Sequence, residues 1–207
     1  MKLLLTDEDE AKIYTGHIRA ICFFTGDNEA EIKITDCVRP GAGKIEAFAA
    51  GAKKKLSKKG IIGLSFIAEG GSEVENCMKR SKKLRLSRIE YMFRMLPDEK
   101  RQAEEGAELL LTDVTEDGEE ITVVHSAEKD LFTARLRPYN GGMYIYGVEV
   151  REDMRHKGYG TKYMKSICYA FRNKPLYLQV GSPNTVACRL YRHTGFETET
   201  ELCYYVL

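Results

Sequence analysis

A short string near the start of the chain, Lys2-Leu3-Leu4-Leu5-Thr6-Asp7, returns as Glu108-Leu109-Leu110-Leu111-Thr112-Asp113. The offset is 106 residues (109 − 3). An internal repeat fixes the architecture more tightly than composition does, because each copy must be one structural unit. More of the chain follows in the same order. Residues 31–39 parallel 143–151, each reading as a strand that ends in Val-Arg. Gly41-Ala42-Gly43 stands where Gly158-Tyr159-Gly160 stands. Ile45, Phe48, Ala49 and Ala52 fall near helical spacing within 45–55; Gly60 then closes that helix and 61–67 read as the next strand. Gly71-Ser72 parallels Gly181-Ser182, and 90–95 parallels 203–207.

The pattern predicts a mixed-sheet α/β (α+β) fold in two tandem copies, with a first domain over 1–96, a linker over 97–107 and a second domain over 108–207. Each copy opens with a β-meander. In the second, strands are expected over 108–113, 121–126, 130–137 and 143–150. Glu116-Asp117-Gly118, Ala127-Glu128 and Asn140-Gly141-Gly142 supply the turns. Pro97 and the polar stretch 98–106, read as a short helix, join the copies. The closing strands 90–95 and 203–207 can pair within the chain or with another subunit, which keeps a homodimer open.

Composition excludes several classes. An apolar fraction of 43% suffices for a packed core, and a net charge of +1 gives no global case for nucleic acid or membrane as partner. No apolar run approaches the ~20 residues of a membrane span. Met1–Leu5 reaches Thr6-Asp7 too soon for the core of a secretory signal, so the chain reads as cytoplasmic. The six cysteines contain no C-x-x-C pair and read as buried reduced thiols; no metal spacing is visible.

Within the second copy, Arg155-His156-Lys157-Gly158-Tyr159-Gly160 lies between the apolar run 143–150 and a helix beginning near Thr161. Two glycines one residue apart strip side chains from the backbone, so several N–H groups can face one anion, and the helix start adds its positive end. Leu176-Tyr177-Leu178-Gln179-Val180 then reads as a strand, followed by Asn184, Ala187, Leu190-Tyr191 and Gly195-Phe196. Arg155-x-x-Gly158-x-Gly160 and Asn184-x-x-Ala187-x-x-Leu190-Tyr191 resemble the acetyl-CoA-binding half of the GNAT acetyltransferase superfamily, over residues 143–207.

The resemblance implies the acyl-CoA N-acyltransferase fold and an acyltransferase that moves an acetyl group from acetyl-CoA to a primary amine of a small molecule or protein, by direct attack in a ternary complex. It implies that 143–150 splays from 176–180 and that the cosubstrate's arm enters the gap. Backbone groups of Val148 and Val150 would hold that arm. The amides of His156, Lys157, Gly158, Tyr159, Gly160 and Thr161, with Arg155, would bind the pyrophosphate, and Asn184 would bond the arm. Tyr191 matches the position of the general acid for the leaving thiolate, although a core tyrosine beside Ala187 and Leu190 would have the same pattern. Glu149 is the acid of that strand available as a general base; it could equally face solvent or pair with Arg151. Tyr139, Tyr144 and Tyr146 could wall an amine or pack the sheet face. A non-catalytic acyl-CoA-binding regulatory or interaction module is the alternative.

The chain also departs from the family. GNAT domains place a helix pair between their first two strands, and 113 to 121 leaves no room for one, so both copies are truncated. The loop of the first copy is five residues shorter (8 − 3, counting Val150 to Gly158 against Val38 to Gly41). It lacks a counterpart of Arg155, and Pro40 removes an amide. The first copy therefore reads as a degenerate partner, with a weaker anion site at Gly41-Ala42-Gly43 as the other reading. Its basic runs, Lys53-Lys54-Lys55, Lys58-Lys59 and the stretch 79–88, suit a solvated face or a patch for an anionic partner.

Overall fold

The computed structural model of the protein describes residues 1–5, 10–103, 105–116, 118–128 and 130–207. Thr6 and Asp7 of the repeated string, Glu104 of the linker and Asp117 of the expected hairpin turn lie outside the described residues. Residues Met1–Glu90 with Thr200–Leu207 form one compact unit, and Tyr91–Glu199 form a second.

The first unit opens with four antiparallel strands, β1 (Lys2–Leu5), β2 (Glu10–Tyr14), β3 (Ile18–Gly26) and β4 (Glu29–Cys37). Helix α1 (Ala42–Ser57) crosses to β5 (Gly63–Glu69), which runs parallel to β4. The expected helical spacing is realised: Ile45, Phe48, Ala49, Ala52 and Leu56 form the buried stripe of α1, set against Ile13, Ile32 and Phe66 of the sheet. Helix α2 (Glu73–Lys79) follows, capped by Ser72, whose hydroxyl accepts from the Glu75 amide at 3.1 Å. Strand β6 (Arg85–Met95) then carries the chain into the second unit, its residues 91–95 belonging there.

The second unit repeats this order. Strands β7 (Leu109–Glu116), β8 (Glu119–Ser126), β9 (Phe132–Tyr139) and β10 (Gly142–Val150) form a meander. A 3-10 turn at Glu152–Met154, α3 (Tyr159–Ala170), β11 (Leu176–Gly181) and α4 (Thr185–His193) complete it. Its strands lie in the order β6-β11-β10-β9-β8-β7. Glu116 pairs directly with Glu119, so β7 and β8 form a tight hairpin with no helix pair between them.

The last strand, β12 (Glu197–Val206), shows where the closing strands go. Leu202, Cys203, Tyr204 and Tyr205 pair antiparallel with Glu69, Ala68, Ile67 and Phe66 of β5. The strand that follows α4 in sequence thus completes the first unit, while β6, which follows α2, is the neighbour of β11. Both pairings are made within the chain. One group fastens the exchange in the first unit. Glu75 of α2 is fully buried, and its carboxylate accepts from the Tyr205 hydroxyl at 2.7 Å and from the Gly71 amide at 3.4 Å, and pairs with Lys79 at 2.9 Å. Burial pushes the Glu75 carboxyl up, but Lys79, Tyr205 and Gly71 outweigh it and hold the carboxyl below its ordinary value.

The linker departs from expectation. Among the described residues of 98–106 there is no helix, only turns at 99–100 and 105–106. The Asp98 amide donates to Arg172 O at 2.8 Å and the Asp98 carboxylate accepts from the Lys100 amide at 3.1 Å. These local bonds satisfy the backbone without helical ones. All six cysteines are free, five of them buried.

Candidate functional site

In β10, the site begins with a broken register. Met143, Tyr144 and Ile145 pair in parallel with Leu176, Tyr177 and Leu178, and the register ends there although β10 runs on to Val150 and β11 to Gly181. On its other side β10 pairs with β9 throughout, but one extra residue is inserted between Tyr146 and Glu149, and Gly147 takes φ +58. Such a bulge bends the strand that carries it. The two parallel strands part after Ile145 and Leu178, five residues before β10 ends at Val150 (150 − 145).

That loop exposes backbone. His156 and Gly158 both have left-handed backbones, φ +61 and +87. Gly158 caps α3 without a side-chain bond, and the first turn carries no acidic residue. The first amides of a helix have no partner inside it and sit at its positive end. Gly160 packs near α4: a Cβ there would make ordinary contacts, 3.4 Å from Leu190 and 3.6 Å from Val150. The Arg155 Nε donates to Val150 O at 3.1 Å and ties the loop to the end of β10.

A cleft of about 990 Å³ occupies the opening. Of the residues singled out in the sequence, Val148, Glu149, Val150, Arg155, His156, Gly158, Gly160, Thr161, Asn184 and Tyr191 line it. Lys157 and Tyr159 do not: the Lys157 ammonium lies 3.6 Å from Met154 Sδ, and Tyr159 stacks on Tyr163 with ring centres 6.5 Å apart. Asn184 already has a task, its Oδ1 accepting from the Ala187 amide at 3.1 Å to cap α4. Tyr191 is buried, 6.1 Å from the rings of both Phe93 and Phe196. Burial, with small additions from Cys188 and Tyr144, pushes its phenol up to about 12. Glu149 is exposed and stands between this cleft and a neighbouring cavity of about 350 Å³ that also touches His125, Asp130 and Thr133.

Sequence reasoning missed the basic face of α4. Arg189, Arg192 and His193 line the cleft with Arg155 and His156, against Glu149 as the carboxylate in the lining. Their spacing of three and four residues places them on one side of a helix, a signal that was available. The three tyrosines do gather: Tyr139 lies 5.6 Å from Tyr144, which stacks on Tyr146 at 6.3 Å, and Tyr177 joins at 5.2 Å from Tyr139. A cation already stands over them, the Arg137 guanidinium, 5.4 Å from the Tyr144 ring and 5.9 Å from that of Tyr146.

In the first unit, a cavity of about 690 Å³ is lined by Arg39, Pro40, the α2 residues Glu73, Asn76, Cys77 and Lys79, and the C-cap Arg80. Among the described residues no group of His, Cys, Asp or Glu is placed to hold a metal, and no helix is long and apolar enough to cross a membrane.

Residues 86–196 match the sequence model of the Acetyltransferase (GNAT) family. No curated protein matches the chain. Solved structures share the fold. A GCN5-related N-acetyltransferase from Sphaerobacter thermophilus aligns over 98% of this chain and 81% of its own, with TM-score 0.67 and 13% identity. One from Kribbella flavida aligns over 95% and 89%, with TM-score 0.66 and 11% identity. A tandem GNAT protein of the clavulanic acid biosynthesis pathway, without acetyl-CoA, aligns over 95% and 81%, with TM-score 0.63 and 10% identity.

Proposed function

The chain belongs to the acetyltransferase (GNAT) family, and from that premise we propose that it is an N-acetyltransferase that moves an acetyl group from acetyl-CoA to a primary amine within a ternary complex. The observation that carries this reading is the parting of β10 from β11 beside the uncapped start of α3, in a cleft with five basic side chains. Such a lining fits a long ligand with a pyrophosphate. Acetyl-CoA supplies an activated thioester when bound; the residues position and polarise.

The amides of residues 156–161 and Arg155 would hold the pyrophosphate, and Val148 and Val150 would hold the arm by backbone bonds. Asn184 keeps its amide nitrogen for the arm while its oxygen caps α4. A backbone N–H at the end of β10 would polarise the carbonyl oxygen. Glu149, on the rim of the cleft, would take the ammonium proton directly or through water.

Tyr191 would act on the leaving sulfur. A phenol at about 12 is fully protonated at neutral pH. Tyr191 would therefore be the general acid, giving its proton or a hydrogen bond to the thiolate as it leaves. In this reading the second unit carries the single donor site, and the first is a degenerate partner whose short loop lacks a counterpart of Arg155. A cytoplasmic location, supported by free thiols throughout the chain, belongs to the same reading.

The test is incubation with acetyl-CoA and a panel of amines, following free CoA thiol. Thiol release that depends on the amine is expected, and acetyl-CoA affinity should be lost in Gly158→Asp, which sets a carboxylate against the anion site. Binding without turnover across a broad panel would instead favour a regulatory acyl-CoA-binding module. Undiminished affinity in Gly158→Asp would refute the placement of the pyrophosphate.

A further inference from the structure

Rings able to receive an amine already carry a cation of the protein. Arg137, Arg135 and Thr133 alternate along one face of β9, and their partners on β10 are Tyr144, Tyr146 and Glu149. Paired residues of antiparallel strands share a face, so Tyr144, Tyr146 and Glu149 point the same way. Glu149 joins the two tyrosines only because the bulge inserts one residue between Tyr146 and Glu149. One continuous strip therefore runs from the cleft wall at Glu149 along Tyr146 and Tyr144 to the guanidinium of Arg137.

This strip is mixed in charge: Glu149 stands at the cleft end, Arg137 at the far end, and between them Arg135, whose guanidinium is paired with Glu116 at 2.6 Å. Arg137 is exposed, and its partner is Glu119 at 3.4 Å, with side chains 45% and 60% exposed. Such a surface pair is weak and open to exchange for a better anion. The guanidinium is held against two rings, so its planar fork is positioned before any ligand arrives. A polyamine acceptor would meet that charge unfavourably.

We propose that the acceptor is an amine bearing a carboxylate, its nitrogen at Glu149 and its carboxylate on the fork of Arg137 above Tyr144 and Tyr146. Arg137 and Thr133, the partners of Tyr144 and Glu149, are four strand steps apart (137 − 133), roughly 14 Å along the strand. The acceptor therefore separates its two charges by several bonds, as in an ω-amino acid or a short peptide, and is not an α-amino acid. The inference rests on the N-acetyltransferase reading above.

The experiment offers the enzyme ω-amino carboxylates from glycine to 6-aminohexanoate, each beside its uncharged carboxamide, with acetyl-CoA, and reads the ratio of kcat/KM within each pair. A charge-assisted pair predicts a ratio of about tenfold or more in favour of the carboxylate, largest for the longer members. Arg137→Gln should bring the ratio to about one, Arg137→Lys should keep part of it, and Glu119→Gln should raise it. Because each ratio is taken within one enzyme, a general loss of folding leaves it unmoved. Carboxamides used as well as carboxylates by the wild type, or a ratio that survives Arg137→Gln, would overturn the proposal. Turnover of no amine at all, with acetyl-CoA still bound, would overturn the transferase reading itself and this inference with it.

Discussion

The bond between Tyr205 and Glu75 joins residues 130 apart in sequence, and its removal can be worked through. Tyr205→Phe deletes one oxygen and keeps the ring, which is 1% exposed, so packing in the first unit is retained. The Glu75 carboxylate, itself without exposure, then has the Lys79 ammonium at 2.9 Å and the long Gly71 contact at 3.4 Å. A hydrogen bond to a charged group contributes about 1.5–3 kcal/mol, and the loss should fall in that range because both residues are buried. The sign with pH follows from the direction of the shift. The folded-state carboxyl lies below its ordinary value, so its stabilisation is complete above the unfolded pKa near 4.3 and is lost as pH falls through the folded value. The deficit of Tyr205→Phe should therefore be full at pH 7 and shrink on acidification below about pH 4. Urea unfolding at both pH values measures it as a change in midpoint at constant slope. Hydrogen exchange should place the loss in α2 and β5. A deficit under about 0.5 kcal/mol at pH 7, or one that grows on acidification, would refute the account.

Tyr191→Phe should lower kcat by roughly 10- to 10⁴-fold with little change in acetyl-CoA affinity, and the wild type should show no alkaline loss of kcat from this group below about pH 11, since its phenol titrates near 12. Gly158→Ala, at φ +87 with open space around it, should cost about 1 kcal/mol of stability in thermal unfolding and weaken acetyl-CoA binding by calorimetry. Gly142→Ala should be among the most damaging substitutions, on the order of 3 kcal/mol by urea unfolding, because its Cβ would stand 2.0 Å from the Pro175 carbonyl oxygen. A chain stopped at Glu199 should lose exchange protection in β5, far from the cut in sequence, since β12 covers that strand.

What could be read from the sequence was local. The run from β10 through Gly158 to α3 declares itself by apolar spacing and by a glycine that the turn requires, and the stripe of α1 follows from helical period alone. The exchange of closing strands was not readable, because 91–95 and 202–206 are both short runs rich in apolar and aromatic residues, and neither carries a local mark of its partner. Choice of partner depends on distant groups such as Glu75. The strip from Glu149 to Arg137 depends on a single inserted residue, without which Glu149 would point to the opposite face. The linker was misread because helix propensity and the local bonds of Asp98 compete, and the bonds prevail.

The placement of β12 also sets a timetable for synthesis. Ribosomes emit chains from the N-terminus at about 5–20 residues per second, and domains ordinarily fold in that order. Here the first unit must wait from Glu90 to Thr200, which is 110 residues (200 − 90). At those rates the delay is roughly 5–22 s. Throughout it, the backbone groups of Phe66, Ile67, Ala68 and Glu69 that β12 will engage are open to any other strand. The nascent chain thus carries an open strand edge at β5 until β12 has been made, and the first unit closes only after the second has been synthesised.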